Sequence, residues 1–300
     1  MAQRWLRGGR RNRCLAVVVT AFLALATSGC VQRYVAIGDS YTSGPLIPLQ
    51  RSDAKTPAGC LQSDHNYPHL VAPQLDLPQF EDASCSGAQT KDMTSAQEVD
   101  GGANAPQFDR LTSQTKVVTI GIGGNDIGFT EIAITCGRGG IEDPNGTPCQ
   151  DAYVVNGVDT VAVRLAEMAQ DLDATLDGIH ARSPQATVFV VGYPSILPDT
   201  GPGCYPVMPI APADLDYVRS IPKRLNATIR YVAVGNGDVF VDTETPSLGH
   251  DACQLPTVKW VEPVVPTEPA APVHPNARGE AGMAAAVLAS MRAHGVAPAA

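Results

Sequence analysis

The sequence predicts an α/β fold built on a largely parallel sheet, and three observations carry that prediction. Short apolar runs alternate with longer stretches whose apolar residues recur at three- and four-residue steps. The alternation continues to the C-terminus without an internal repeat or a domain-separating linker. Successive apolar runs also end in Gly plus a small polar residue, as at the carboxyl ends of strands in an open α/β sheet.

The first predicted strand is Tyr34–Gly38, an apolar run closed by Gly. Asn66–Leu75 has helical spacing, and Phe80–Ser84 and Val117–Ile122 supply the second and third strands. Val158–His180 is the longest helical pattern, with its apolar residues on one side as in a sheet-packing helix. Thr187–Gly192 is the fourth strand, Asp214–Val234 the next helix and Val239–Asp242 the fifth strand. Ala281–His294 closes the chain as a helix, with Gly295 at the stop position. The Gly/Pro-rich stretches Cys136–Pro148 and Thr200–Pro212 fall within this alternation, so residues 31–300 read as a single domain.

The chain has 300 residues and is 44% hydrophobic, enough to bury a sizeable core. With 21 Lys+Arg against 30 Asp+Glu, its net charge of −9 lacks the basic footprint of a phosphate-backbone binder, which argues against a nucleic-acid partner. Residues 1–30 read as a signal peptide: Arg4, Arg7, Arg10, Arg11 and Arg13 precede an apolar run of 13 residues, Cys14–Ala26, followed by small residues. That run is too short to span a bilayer comfortably. Without the leader, 16 basic residues face 30 acidic ones, a charge of −14. Ala26-Thr-Ser-Gly-Cys30 resembles a bacterial lipobox, with Thr27 where Leu is usual. Lipidation of Cys30, which would attach the chain to a membrane, and cleavage near Gly29 both fit. Arg10-Arg11 also matches the pair used in twin-arginine export.

Six further cysteines, Cys60, Cys85, Cys136, Cys149, Cys204 and Cys253, form an even set in a chain read as exported, which implies three disulfides. Six cysteines allow 15 pairings, and the residues alone do not choose among them. No C-x-x-C or other recognisable set of zinc ligands occurs, so no metal site is expected.

Chemistry concentrates at the predicted strand ends. The first delivers Gly38-Asp-Ser40, the second Ser84-Cys-Ser-Gly87, the third Gly123-Gly-Asn125-Asp126, and near the C-terminus comes Val273-His274-Pro275-Asn276. A Ser in a tight Gly-flanked turn can act as a nucleophile if a base reaches it, with nearby backbone N–H groups facing the reacting atom. Gly-Asp-Ser alone is ordinary turn chemistry. The four blocks in this order resemble the SGNH hydrolases, also called GDSL esterases and lipases, over residues 33–294.

The resemblance implies a flavodoxin-like three-layer α/β/α sandwich with a mostly parallel five-stranded sheet. It implies Ser40 as nucleophile and His274 as general base. The backbone N–H groups of Ser40 and Gly87 and the side-chain amide of Asn125 would form the oxyanion hole. The family usually places an Asp three residues before the His, where this sequence has Ala271. As in some actinobacterial members, a backbone carbonyl, that of Ala271, would then orient the imidazole, with Glu268 the alternative. Pro263, Pro266, Pro269, Pro272 and Pro275 recur at the polyproline II period, which would leave carbonyls free to accept. The resemblance to secreted actinobacterial members also implies the pairs Cys60–Cys85, Cys136–Cys149 and Cys204–Cys253.

Other residues point to less. His65, His69, His180, His250 and His294 belong to no recognisable catalytic or metal-ligand set, and Asp39 and Asp126 read as turn and supporting hydrogen-bond groups. Asp242 and Asp251 are weaker candidates for a third triad member. The expected function is an extracytoplasmic serine esterase or lipase acting as a monomer on a small-molecule or lipid ester without metal or organic cofactor. Loops 46–59, 137–148 and 200–212 would frame its acyl pocket. A noncatalytic glycan- or lipid-binding lipoprotein and polysaccharide acetyl transfer or deacetylation are the alternatives.

Overall fold

The computed structural model describes residues 32–298. In chain order, the strands are β1 Arg33–Gly38, β2 Gln79–Asp82, β3 Gln97–Val99, β4 Gly102–Asn104, β5 Thr115–Gly121, β6 Val154–Val155, β7 Val158–Asp159, β8 Thr187–Val191 and β9 Val239–Val241. The helices are α1 Ser40–Ser43, α2 Tyr67–Val71, α3 Phe129–Glu142, α4 Pro148–Tyr153, α5 Thr160–Arg182, α6 Leu215–Gly235, α7 Glu244–Ser247 and α8 Ala277–Ala293. The leader predicted over residues 1–30, including Cys30, lies outside the described residues.

The central sheet has five strands in the order β2-β1-β5-β8-β9, with every neighbouring pair parallel. In β1, Tyr34 to Gly38 are all buried, because a parallel strand is covered on both faces. Its side chains alternate between two cores: Val35 and Ile37 join residues of α5 and α6, and Tyr34 and Ala36 join residues of α2 and α8. The result is the expected α/β/α sandwich. The strand order reverses between β1 and β5, the switch point where such sheets open a crevice at their carboxyl ends.

All five predicted central strands are present, with ends shifted by up to two residues. The helix read from Ala281 begins at Ala277, because Asn276 caps it by accepting the N–H groups of Arg278 and Gly279. A Cβ at Gly279 would lie 2.4 Å from the Trp260 carbonyl oxygen, so close packing put glycine where helical periodicity would show. The stretch read as a loop over Cys136–Pro148 is largely α3, with α4 beginning at Pro148. Gly139 and Gly140, which obscure the pattern, sit where a Cβ would meet Pro148 at 2.8 Å and the Pro209 carbonyl oxygen at 2.0 Å.

The disulfides are Cys60–Cys85, Cys136–Cys149 and Cys204–Cys253. The first ties the loop after α1 to the segment following β2, and the second ties α3 to α4.

Candidate active site

β1 ends at Gly38, where a Cβ would lie 2.5 Å from the Gly121 carbonyl oxygen, so glycine lets the ends of β1 and β5 converge. Asp39 then caps α1, its Oδ1 accepting the Tyr41 N–H at 2.9 Å, and Ser40 is the first residue of that turn. Its Oγ lies 2.8 Å from Nε2 of His274, 234 residues further along the chain.

The other ring nitrogen of His274, Nδ1, lies 2.8 Å from the Pro272 carbonyl oxygen. A carbonyl can only accept, so Nδ1 carries the proton and Nε2 turns a lone pair toward the Ser40 hydroxyl. Burial pushes the His274 pKa below the usual histidine value, and the Pro272 carbonyl opposes part of that fall. Neutral imidazole is the form that accepts a proton.

The orienting carbonyl therefore differs from the sequence reading, which assigned it to Ala271. The Ala271 carbonyl instead accepts the His274 backbone N–H at 3.2 Å, closing a four-residue turn. Pro272 is its second residue and Val273, at φ +61°, its third, the type II pattern in which the middle peptide faces outward. That places the Pro272 carbonyl before the ring.

Nor does the segment run as a polyproline helix. It folds around the buried Glu262 carboxylate, whose Oε2 accepts the Thr267 N–H at 2.8 Å and pairs with Lys259 at 2.7 Å, while Oε1 accepts from Asn276 Nδ2 at 2.7 Å. Against the burial that would raise it, Lys259, Asn276 and Thr267 hold the Glu262 carboxyl below the usual range. Glu268 points to Arg278 at 3.3 Å. Asp242 accepts from Thr245, and Asp251 from the Cys253 N–H and Gln254.

Gly87 has φ +80° and follows Ser86, whose hydroxyl lies 3.1 Å from that of Ser43. This brings the end of β2 beside α1. Asn125 follows β5, its Nδ2 donating to the Ala88 carbonyl at 3.0 Å and its own carbonyl accepting from Gln89 at 3.0 Å. Asp126 accepts from Thr90 N–H at 2.9 Å, a supporting contact as the sequence suggested.

Two tyrosines tie these loops together, and neither was singled out from sequence. Tyr193, just past β8, donates to Asp39 Oδ2 at 2.5 Å and accepts the Gly124 N–H at 2.9 Å. Its place at a strand's carboxyl end was the available signal. Burial pushes the Asp39 carboxyl up to about 7, with Tyr193 and the Tyr41 N–H opposing the rise. Tyr41 donates to the Val273 carbonyl, and its ring lies 5.0 Å from the His274 ring.

Ser40, Asn125 and His274 line a cleft of about 650 Å³ whose walls are mainly apolar, with Phe129, Ile134 and Ile141 of α3 along one side. Pro209 comes from one of the loops expected to frame the pocket, whereas residues 46–59 do not line it. The framing predicted for residues 137–148 falls to α3.

The sequence profile of the GDSL-like lipase/acylhydrolase family matches residues 36–281. Lipase 2 of Streptomyces coelicolor is 39% identical over 88% of each chain, and a lipase of Streptomyces rimosus is 30% identical over 82% of each. Among solved structures, phospholipase A1 from Streptomyces albidoflavus superposes with a TM-score of 0.71 at 26% identity, covering 88% of this chain and 99% of that one. The extracellular lipase of Streptomyces rimosus gives 0.66 at 26% identity, with 86% and 99% covered. The family match spans most of the chain and includes both partners of the Ser40–His274 contact: this chain belongs to the GDSL-like lipase/acylhydrolase family, a family of carboxylic ester hydrolases.

Proposed function

We propose that the protein is an exported serine lipase or esterase that cleaves carboxylic esters through an acyl-enzyme on Ser40, with His274 as general base. The observation that carries this reading is the 2.8 Å contact between Ser40 Oγ and His274 Nε2, with Nδ1 fixed on a carbonyl.

In this scheme Nε2 takes the hydroxyl proton as Oγ attacks the ester carbonyl carbon. The resulting oxyanion accepts hydrogen bonds from the backbone N–H groups of Ser40 and Gly87 and from Asn125 Nδ2. Among the described residues, neither of those backbone N–H groups has another protein acceptor, and only one Asn125 amide hydrogen is taken, by Ala88. Each such donor is worth about 3 kcal/mol of barrier. The intermediate collapses, the bond to the alcohol oxygen breaks, and His274 returns the proton to the leaving alcohol. Water then attacks the acyl carbon, giving a proton to Nε2; the bond from that carbon to Ser40 Oγ breaks, His274 returns the proton to Oγ, and the acid departs. No metal or organic cofactor is needed for these steps.

Similarity to proteins named lipase and phospholipase A1 favours lipid esters, and the apolar cleft agrees. Three disulfides support export to an oxidising compartment, where Cys30 would be lipidated or the leader cleaved. A monomer suffices, because the proposed groups come from one chain.

The test is hydrolysis of p-nitrophenyl esters from acetate to palmitate by the oxidised mature protein and by Ser40→Ala. Turnover by the wild type with Ser40→Ala at background supports the reading. Inactivity of the wild type at every chain length would overturn it.

A further inference from the structure

Beyond the cleft that holds Ser40 and His274 lies a second, inner cavity of about 60 Å³, under Met208 and Ile210. The two share a wall, to which Phe129, Ala133, Gly137, Ile196 and Pro209 all contribute. Gly137 sits in the interior of α3, where glycine is unfavourable relative to alanine. Its neighbours in the sequence Cys136-Gly-Arg-Gly-Gly140 explain themselves by packing, since a Cβ at Gly139 or Gly140 would collide with Pro148 or the Pro209 carbonyl.

Gly137 has no such reason. A Cβ there would meet only the Pro209 Cγ, at an ordinary contact distance of 3.6 Å. The missing side chain therefore leaves open space at the boundary between the two cavities.

We propose that Gly137 is a specificity-determining residue that admits long straight acyl chains. The chain runs from the ester carbon at Ser40 along α3, passes Gly137, and seats its methyl end in the inner pocket under Met208 and Ile210. This inference rests on the acyl-enzyme reading of Ser40. The inner cavity has room for only one or two methylenes, and each methylene buried rather than left in water is worth about a fourfold gain in binding. Blocking the passage therefore acts selectively on chains long enough to reach it.

The experiment compares kcat/KM for p-nitrophenyl butyrate and palmitate in the wild type, Gly137→Leu and Gly137→Ala. The palmitate-to-butyrate ratio is expected to fall tenfold or more in Gly137→Leu and at least twofold in Gly137→Ala. The alanine keeps the test open if leucine prevents folding, because its Cβ makes only that one ordinary contact. An unchanged ratio, or an equal loss on both esters, overturns the proposal. A wild type inactive on both esters defeats the acyl-enzyme reading instead.

Discussion

The Tyr41 hydroxyl donates a hydrogen bond of 2.6 Å to the Val273 carbonyl, so the residue after the proposed nucleophile holds the turn that presents the proposed base. Two segments 232 residues apart are thereby registered by one contact beside the Ser40–His274 pair. Val273 itself is β-branched at φ +61°, a conformation that persists only where the surroundings enforce it.

Removing that hydroxyl should loosen the base more than it loosens the fold. Tyr41→Phe keeps the ring packed on His274 and Tyr193 and forfeits about 1 kcal/mol of hydrogen bonding. Steady-state kinetics should show kcat down about tenfold at nearly constant KM, with a small fall in melting temperature. Equal losses in kcat and folding stability would point to a purely structural role.

In the proposed scheme the Pro272 carbonyl, 2.8 Å from Nδ1, orients His274, so no side-chain acid is required. Glu268 faces Arg278, a partly exposed pair worth under about 1 kcal/mol. Glu268→Gln should therefore retain kcat/KM within about twofold of wild type. A loss of a hundredfold would show that this carboxylate reaches the imidazole during the reaction.

The pH profile should reflect a histidine made less basic by burial. In the proposed scheme neutral imidazole is the active form, so lowering its pKa extends activity into more acidic solution. The acid limb of kcat/KM should fall below about pH 6.5, the ordinary histidine value. An acid limb above neutrality would mean that a nearby negative charge dominates, contrary to the carbonyl partner.

Asp39 gives a separate signature in stability. Its carboxyl is raised to about 7 in the fold from 3.8 in the free chain, so between those values the folded state binds the extra proton. With respect to this group, stability is greatest at low pH and declines as pH rises from about 4 to about 7. The melting temperature of Asp39→Asn relative to wild type should therefore climb by several degrees between pH 4 and pH 8. A flat difference would show that the buried carboxylate bears no such cost.

The strands were legible in sequence because a parallel sheet buries both faces of runs such as Tyr34–Gly38, leaving a continuous apolar signal. Ser40, Gly87 and Asn125 each follow a strand end, but it was the resemblance of the four blocks to the SGNH hydrolases that singled them out. α3 was not legible, since Gly139 and Gly140 answer to Pro148 and Pro209, contacts distant in sequence. The orienting carbonyl was misplaced by one residue because proline spacing suggested an extended segment. The buried Glu262 carboxylate bends that segment into a turn, and nothing in the local pattern announces such an anchor.

Acylation of Ser40 can be observed by covalent trapping. A p-nitrophenyl alkylphosphonate, which mimics the tetrahedral intermediate, is incubated with wild type and with Ser40→Ala, and digested peptides are mapped by mass spectrometry. One adduct per chain is expected, on the Ser40 peptide, appearing in step with loss of esterase activity and absent from Ser40→Ala. An adduct on another residue that tracks the inactivation would contradict acylation at Ser40.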